Sequence, residues 1–386
     1  MSGTVVARSA LCAALLTTAA LAGVLSSGSV PKAPYLELND GHRLPQLGLG
    51  TWLGNSSQGR IKPQGHEVQQ AVEWAIAAGY RHIDTARVYG TEPQVGAAIR
   101  EAVRRGDVKR EDLFVTTKLW NDRHAREAVV PALRESLAAL GLDYVDLYLV
   151  HWPIGQFSIV KFITMVKGLA SKISINHQLS RVLFKHHSLP QPNGSYDLTG
   201  HLSTWRGMEE ARRLGLARSI GLSNFNQSQI EGILAGCEVK PAVLQVEMNL
   251  NLQQESLHAY CASRGIVVTA YTPFGSLLKG GAGAGAGAGA TRVDDTALVE
   301  MAGRYNKTVP QIVLRYLMEL GVAAIPKTIT KQRVEQNIDI FDFHLTGADR
   351  AALRGLDAGL RTIAGGRFVV NRGEPQPSPE ALDGTL

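Results

Sequence analysis

Four side chains stand where acid–base chemistry is possible: Asp84, Tyr89, Lys118 and His151. Three of them close or follow a run of β-type residues. Asp84 ends Arg81-His82-Ile83-Asp84, Lys118 follows Phe114-Val115-Thr116-Thr117, and His151 follows Val145 to Val150. Tyr89 stands in the next loop, in Tyr89-Gly90-Thr91-Glu92. Taken singly, each has an ordinary role: an Asp at a strand end caps a helix, and a Tyr or His packs. Lys118 is harder to set aside, because a lysine is almost never fully buried unpaired. Its apolar flanks, with Leu119 and Trp120 on one side, call for a counter-charge, and Asp84 on the adjacent strand can supply it. A carboxylate–ammonium pair beside a phenol and an imidazole is a proton-transfer set. A metal-dependent hydrolase would need more His or carboxylate ligands, and no His-x-His or Glu-x-x-His pair occurs at these strand ends.

The four groups converge only if their strands lie side by side. Strands are predicted over 47–52, 81–84, 113–119, 145–150, 218–223, 242–248, 266–271 and 322–326. Several are continuous apolar or β-branched runs, as parallel strands covered on the outside require. Helical patterns separate them: Glu67–Ala78, Glu92–Arg104, Arg126–Leu140, Thr204–Leu214, Ser228–Leu234, Glu255–Arg264, Thr296–Tyr305 and Val309–Leu320. Glycines recur where helices should end, as at Gly141 and Gly215. The reading is an α/β chain folded as a single (β/α)8 barrel. An N-terminal hairpin precedes it, around Asn39-Asp40-Gly41-His42, and extra helices are expected. A doubly wound sheet is disfavoured, because Gly48-Leu49-Gly50-Thr51 leads into no helix within the next dozen residues. In a barrel the strand ends share one mouth, which gathers Asp84, Tyr89, Lys118 and His151.

The 386 residues carry 40 Lys+Arg against 34 Asp+Glu, a net charge of +6. A basic balance raises nucleic acid or anionic membrane as partners. The excess is local, however. Two acid-free stretches, the segment before Glu37 and Trp152 to Tyr196, hold seven of the basic residues and leave the body near neutral. No nucleic-acid partner is expected. Residues 1–34 read as a leader, with an apolar run from Ala10 to Leu25 after Arg8 and Ala20-Leu21-Ala22 as a cleavage site. That points to the secretory pathway or an organelle, with the cytosol as the alternative if the start is misassigned. Membrane contact is not expected once the leader is removed. Cys12, Cys237 and Cys261 are too few for a disulfide framework. The barrel is placed at 35–365, with an atypical insert at 157–188, a Gly/Ala loop at 279–291 and a tail at 366–386.

The motifs Gly79 to Ala86, Val115 to Trp120, Leu149 to Pro153, Gly221-Leu222-Ser223-Asn224-Phe225, Gln245-Val246-Glu247-Met248-Asn249 and Ile325-Pro326-Lys327 occur in one order. In these the chain resembles the aldo-keto reductases of the aldose and aldehyde reductase kind, over roughly residues 35–360. The resemblance implies NADPH-dependent, reversible reduction of aldehydes or ketones to alcohols. It places the catalytic tetrad on Tyr89, Lys118, Asp84 and His151. Tyr89 would donate the proton, with Lys118 lowering its pKa from about 10 and Asp84 orienting Lys118. His151 would position the carbonyl oxygen.

For NADPH/NADP+ the resemblance implies Thr51, Ser223, Asn224, Gln245, Tyr271, Phe274, Ser276, Lys327, Thr328, Arg333, Gln336 and Asn337. Ser223, Asn224 and Gln245 would hold the nicotinamide amide and Tyr271 would stack on its ring. Lys327 and Arg333 would bind the 2′-phosphate, and Gln336 and Asn337 would face the adenine. Trp52, Trp120 and Trp152 would wall the substrate pocket with His151, around a small-molecule carbonyl compound. No metal is expected, and a monomer is favoured. The departures are Thr91, Thr328 and Gln336, the insert after His151 and the Gly/Ala tract. The other reading is an NADP-binding regulatory or interaction subunit with little turnover.

Overall fold

The computed structural model describes residues 33–56, 59–154, 198–275, 277 and 293–363. The proposed leader, the 157–188 insert, the 279–291 tract, the C-terminal tail and Ser276 lie outside them. Along the chain, β1 (Tyr35–Glu37) pairs antiparallel with β2 (Arg43–Pro45), β3 (Gly48–Gly50) follows, and β4 (Asn55–Ser56) pairs antiparallel with β5 (Gly59–Arg60). Then come α1 (Glu67–Ala77), β6 (His82–Asp84), α2 (Glu92–Arg105), β7 (Phe114–Leu119), α3 (Arg126–Leu140) and β8 (Val145–Val150). The second half holds α4 (Leu198–Arg213), β9 (Ala217–Ser223), α5 (Gln227–Leu234), β10 (Val243–Glu247), α6 (Glu255–Ser263) and β11 (Val267–Tyr271). It ends with α7 (Thr296–Arg304), α8 (Val309–Glu319), β12 (Ala323–Ala324), α9 (Lys331–Ile338) and α10 (Gly347–Arg354).

Strands β3 and β6 to β12 form one parallel sheet in chain order. Parallel bridges Leu47↔Ala324 and Gly50↔Lys327 join its edges, so the sheet closes as a (β/α)8 barrel. Closure is tight at Gly50, where a Cβ would lie 2.8 Å from the Ile325 carbonyl oxygen. Alternation along each strand gives two packed layers. Outward residues such as Ile83, Val115, Tyr148, Ile220 and Leu222 pack against the helices. Inward residues Phe114, Leu147, Leu149, Val243 and Ala323 pack with Leu38 and Leu44 of the hairpin arm, which therefore stops the N-terminal end of the barrel. Only the opposite end is left for chemistry.

All eight predicted strands and eight predicted helices are present; six strands are trimmed at their ends, 145–150 is unchanged and the 218–223 strand starts one residue earlier. Three elements lie beyond the prediction. Helix α9 offers a thin stripe, with Val334 and Ile338 as its buried apolar residues, so periodicity alone does not reveal it. Helix α10 is announced by its cap, since the Thr346 hydroxyl accepts from the Asp349 amide at 3.1 Å. The β4–β5 hairpin is too short to leave a pattern. Helix α4 starts six residues before the predicted Thr204, in a polar stretch. There a tertiary contact holds it: the buried His201 has Nε2 2.7 Å from the Pro153 carbonyl oxygen.

Candidate active site

The open mouth is built from strand ends. Asp84 closes β6, and its backbone carbonyl accepts from the Thr51 hydroxyl at 3.0 Å. Its two carboxylate oxygens are both used. Oδ1 lies 2.6 Å from Lys118 Nζ, and Oδ2 accepts from Gln245 Nε2 at 2.8 Å. Lys118 also donates to the Thr85 carbonyl at 3.0 Å. It is among the largest fully buried side chains of the protein. Burial pulls its pKa below the ordinary lysine value, and Asp84 pulls it back.

Tyr89 sits on the short turn Arg87–Tyr89, which Gly90 ends in a left-handed conformation (φ 72°). Its ring centroid is 5.1 Å from Lys118 Nζ, and its hydroxyl is 3.5 Å from His151 Nε2. That contact is long for a hydrogen bond, so both groups can turn to a third oxygen placed between them. His151 directly follows β8, and burial first, then Lys118, Arg60 and His124, hold its pKa well below the usual histidine value. It is therefore a neutral imidazole, and its Nδ1 has no hydrogen-bond partner among the described residues.

The net direction at Tyr89 differs from the expected lowering: burial, then Asp84 and Tyr271, push its pKa well above 10, because desolvation penalises the phenolate.

On the adjoining wall, the Tyr271 hydroxyl donates to Asn224 Oδ1 at 2.7 Å. Asn224 has a positive φ of 65°, and its Nδ2 donates to the His151 carbonyl at 2.9 Å and to Ser223 Oγ at 3.1 Å. Ser223, Asn224, Gln245 and Tyr271 thus form one connected group beside the tetrad. A second region lies across the β3–β12 seam. A narrow cleft there is lined by Thr51, Leu53, Lys327, Thr328 and Ile329 among others. Lys327 and Arg333 are exposed, and neither has a carboxylate partner among the described residues. Partial burial and then the Arg333 charge hold the Lys327 pKa down. Two mutually repelling cations of this kind fit an anion between them. Thr328 and Asn337 are buried, Gln336 is half-buried on α9, and Phe274 packs where the two helix-side cores meet.

Trp52 lies 6.4 Å from the Tyr89 ring, and Trp120 and Trp152 lie 5.1 and 6.4 Å from the His151 ring. All three are half-buried at the mouth. Among the described residues, no group of three or more His, Cys, Asp or Glu is placed to hold a metal ion. No helix there is long and apolar enough to cross a membrane.

A family model described as the aldo/keto reductase family matches residues 46–358. The chain belongs to that family. As an aldo/keto reductase it is an oxidoreductase. It is 46% identical over 332 residues to the aldo-keto reductase AKR2E4 of Bombyx mori, covering 86% of this chain and 95% of the relative. The crystal structure of that relative in complex with NADP superimposes with a TM-score of 0.71 over the same shares. The aldo-keto reductase AKR2E5 complexed with NADPH matches with a TM-score of 0.73 at 38% identity, covering 90% of this chain and 97% of that one.

Two residues of this aldo/keto reductase escape the sequence reading. Glu247, at the end of β10, is fully buried and accepts from the backbone amides of Thr362 and Ile363 at 2.6 and 2.9 Å. It ties the C-terminal segment to the mouth. A fully buried acid inside the Gln245-to-Asn249 motif is the signal that marks it. Arg60, on β5, reaches the same mouth from the unpredicted hairpin.

Proposed function

We propose that this aldo/keto reductase reduces aldehydes and ketones to alcohols with NADPH, reversibly. Bound NADPH supplies the hydride to the carbonyl carbon. The chain supplies the rest. The carbonyl oxygen is set between the Tyr89 hydroxyl and His151 Nε2, where both can donate to it. As negative charge develops on that oxygen, the Tyr89 proton moves to it. Lys118, held by Asp84, stands behind the ring and stabilises the phenolate that is left. At neutral pH Tyr89 is fully protonated, the form that reduction needs. The oxidation direction must meet the cost of a buried phenolate.

The observation that carries this reading is the buried Lys118–Asp84 pair directly beneath Tyr89 and His151. The connected Ser223–Asn224–Gln245–Tyr271 wall fits a nicotinamide carboxamide and ring, and Lys327 with Arg333 fits a 2′-phosphate. The test is loss of NADPH absorbance with a panel of aldehydes and ketones. Turnover that Tyr89→Phe abolishes supports the reading. Tight NADPH binding without turnover of any carbonyl compound would replace it with a binding subunit.

A further inference from the structure

Glu247 is a fully buried acid that the reaction as described does not use. It closes β10, and Tyr271 closes β11 at the position paired with it. Gln245 points into the barrel, since its Nε2 donates to Asp84 Oδ2. Side chains two apart on a strand share a face, so Glu247 also faces inward, one layer nearer the mouth and beside Tyr271. Its hydrogen-bond partners among the described residues are neutral. The Thr362 and Ile363 amides donate to its two oxygens at 2.6 and 2.9 Å, and Asn249 Nδ2 lies 3.4 Å from Oε1. All are donors, the set that an ionised carboxylate accepts. It makes no ion pair among the described residues. Its charge reaches Tyr271: after burial it does most to raise the Tyr271 pKa, ahead of the opposing Arg361.

A buried carboxylate with no cation against it is costly, and the proposed reaction brings a cation to this wall. The nicotinamide ring is neutral when reduced and becomes a pyridinium cation once its hydride has left. We infer that Glu247 sets the balance between the two forms of the cofactor: its carboxylate favours the oxidised, cationic ring over the reduced one. The segment docked at Thr362 and Ile363 assists by keeping water from the carboxylate, so that the attraction is less screened. This inference rests on the reading of the Tyr271 wall as the nicotinamide site.

The test titrates the full chain with NADP+ and with NADPH, without substrate, and follows protein fluorescence. The quantity read is the ratio of the two Kd values, NADP+ over NADPH. Glu247→Gln removes the charge and should raise that ratio about 10-fold, the size of one charge acting across a partly desolvated gap. Glu247→Asp keeps the charge on a shorter stem and loosens the hold on Thr362 and Ile363, so its ratio should stay near the native one. Glu247→Ala leaves room for water at the two amides. It should repeat the rise, and it decides the matter if the Gln variant does not fold. A ratio unchanged in the uncharged variants, with both cofactors weakened alike, overturns the inference, because docking alone predicts that. A rise as large in Glu247→Asp overturns it too. Either result leaves the reductase intact. A native chain that binds neither cofactor removes the cofactor reading, and the inference falls with it.

Discussion

Lys118 Nζ stands 2.6 Å from Asp84 Oδ1, and both side chains are buried. Such a pair is costly to assemble and more costly to break, because removing one partner leaves an uncompensated buried charge worth about 3–5 kcal/mol. Asp84→Asn should therefore destabilise the fold by about that amount, and it leaves one acceptor oxygen where Lys118 and Gln245 now each have their own. Lys118→Met should do the same from the other side. The double variant should regain part of the stability and none of the turnover. Denaturant unfolding beside kcat measurements checks this. A double variant no more stable than the worse single one would mean that the pair matters through packing and not through charge.

Tyr89 carries a pH prediction of definite sign. Burial raises its pKa well above 10, and burial lowers that of His151 well below 6.5. The donor thus stays protonated, and the imidazole stays neutral, from about pH 6.5 to 10. The reduction rate should be flat across that window, with no loss at the ordinary histidine or tyrosine pKa. Tyr89→Phe should cost about 100- to 10,000-fold in kcat, the usual share of a general acid, while NADPH binding is kept. An alkaline loss centred below pH 9 in the native profile would contradict the assignment.

Lys327 and Arg333 repel each other and lack a carboxylate among the described residues. Replacing either by Ala should lower the preference for NADPH over NADH by about 10- to 100-fold, as a charge-assisted hydrogen bond is lost. Isothermal titration with the two cofactors separates this from general damage. Equal weakening of both would mean that the cations serve the fold or the pyrophosphate, and not a 2′-phosphate.

The barrel was legible because its strands are continuous apolar runs and its helices are strongly periodic. The placement of Asp84, Lys118 and His151 at strand ends followed from that. Three features were not legible, for different physical reasons. Helix α9 buries Val334 and Ile338 as its apolar contacts, so no stripe announces it. Arg60 reaches the mouth on a hairpin of two-residue strands, below the length at which alternation carries information. The Tyr89 pKa is set by burial, then Asp84 and Tyr271, which spacing cannot weigh. Glu247 shows the reverse: it stands in a recognised motif, but its use emerges only with the Thr362 and Ile363 amides beside it.

Glu92, the first residue of α2, tests the same balance through stability. It is buried, and its carboxylate accepts from the Thr117 hydroxyl at 2.7 Å. Burial raises its pKa, against hydrogen bonds from Thr117 and Ser136 that lower it. A folded-state pKa above the unfolded value means that its stabilising share is present below about pH 4.3 and is lost as pH rises through the folded pKa. Glu92→Gln keeps the acceptor for Thr117 and cannot ionise. The variant should match the native chain near pH 4 and gain on it toward pH 8. Unfolding curves at both pH values decide the sign. A gap that opens on acidification instead would show that the charged carboxylate is the stabilising form, held by the nearby Arg87 and Lys118.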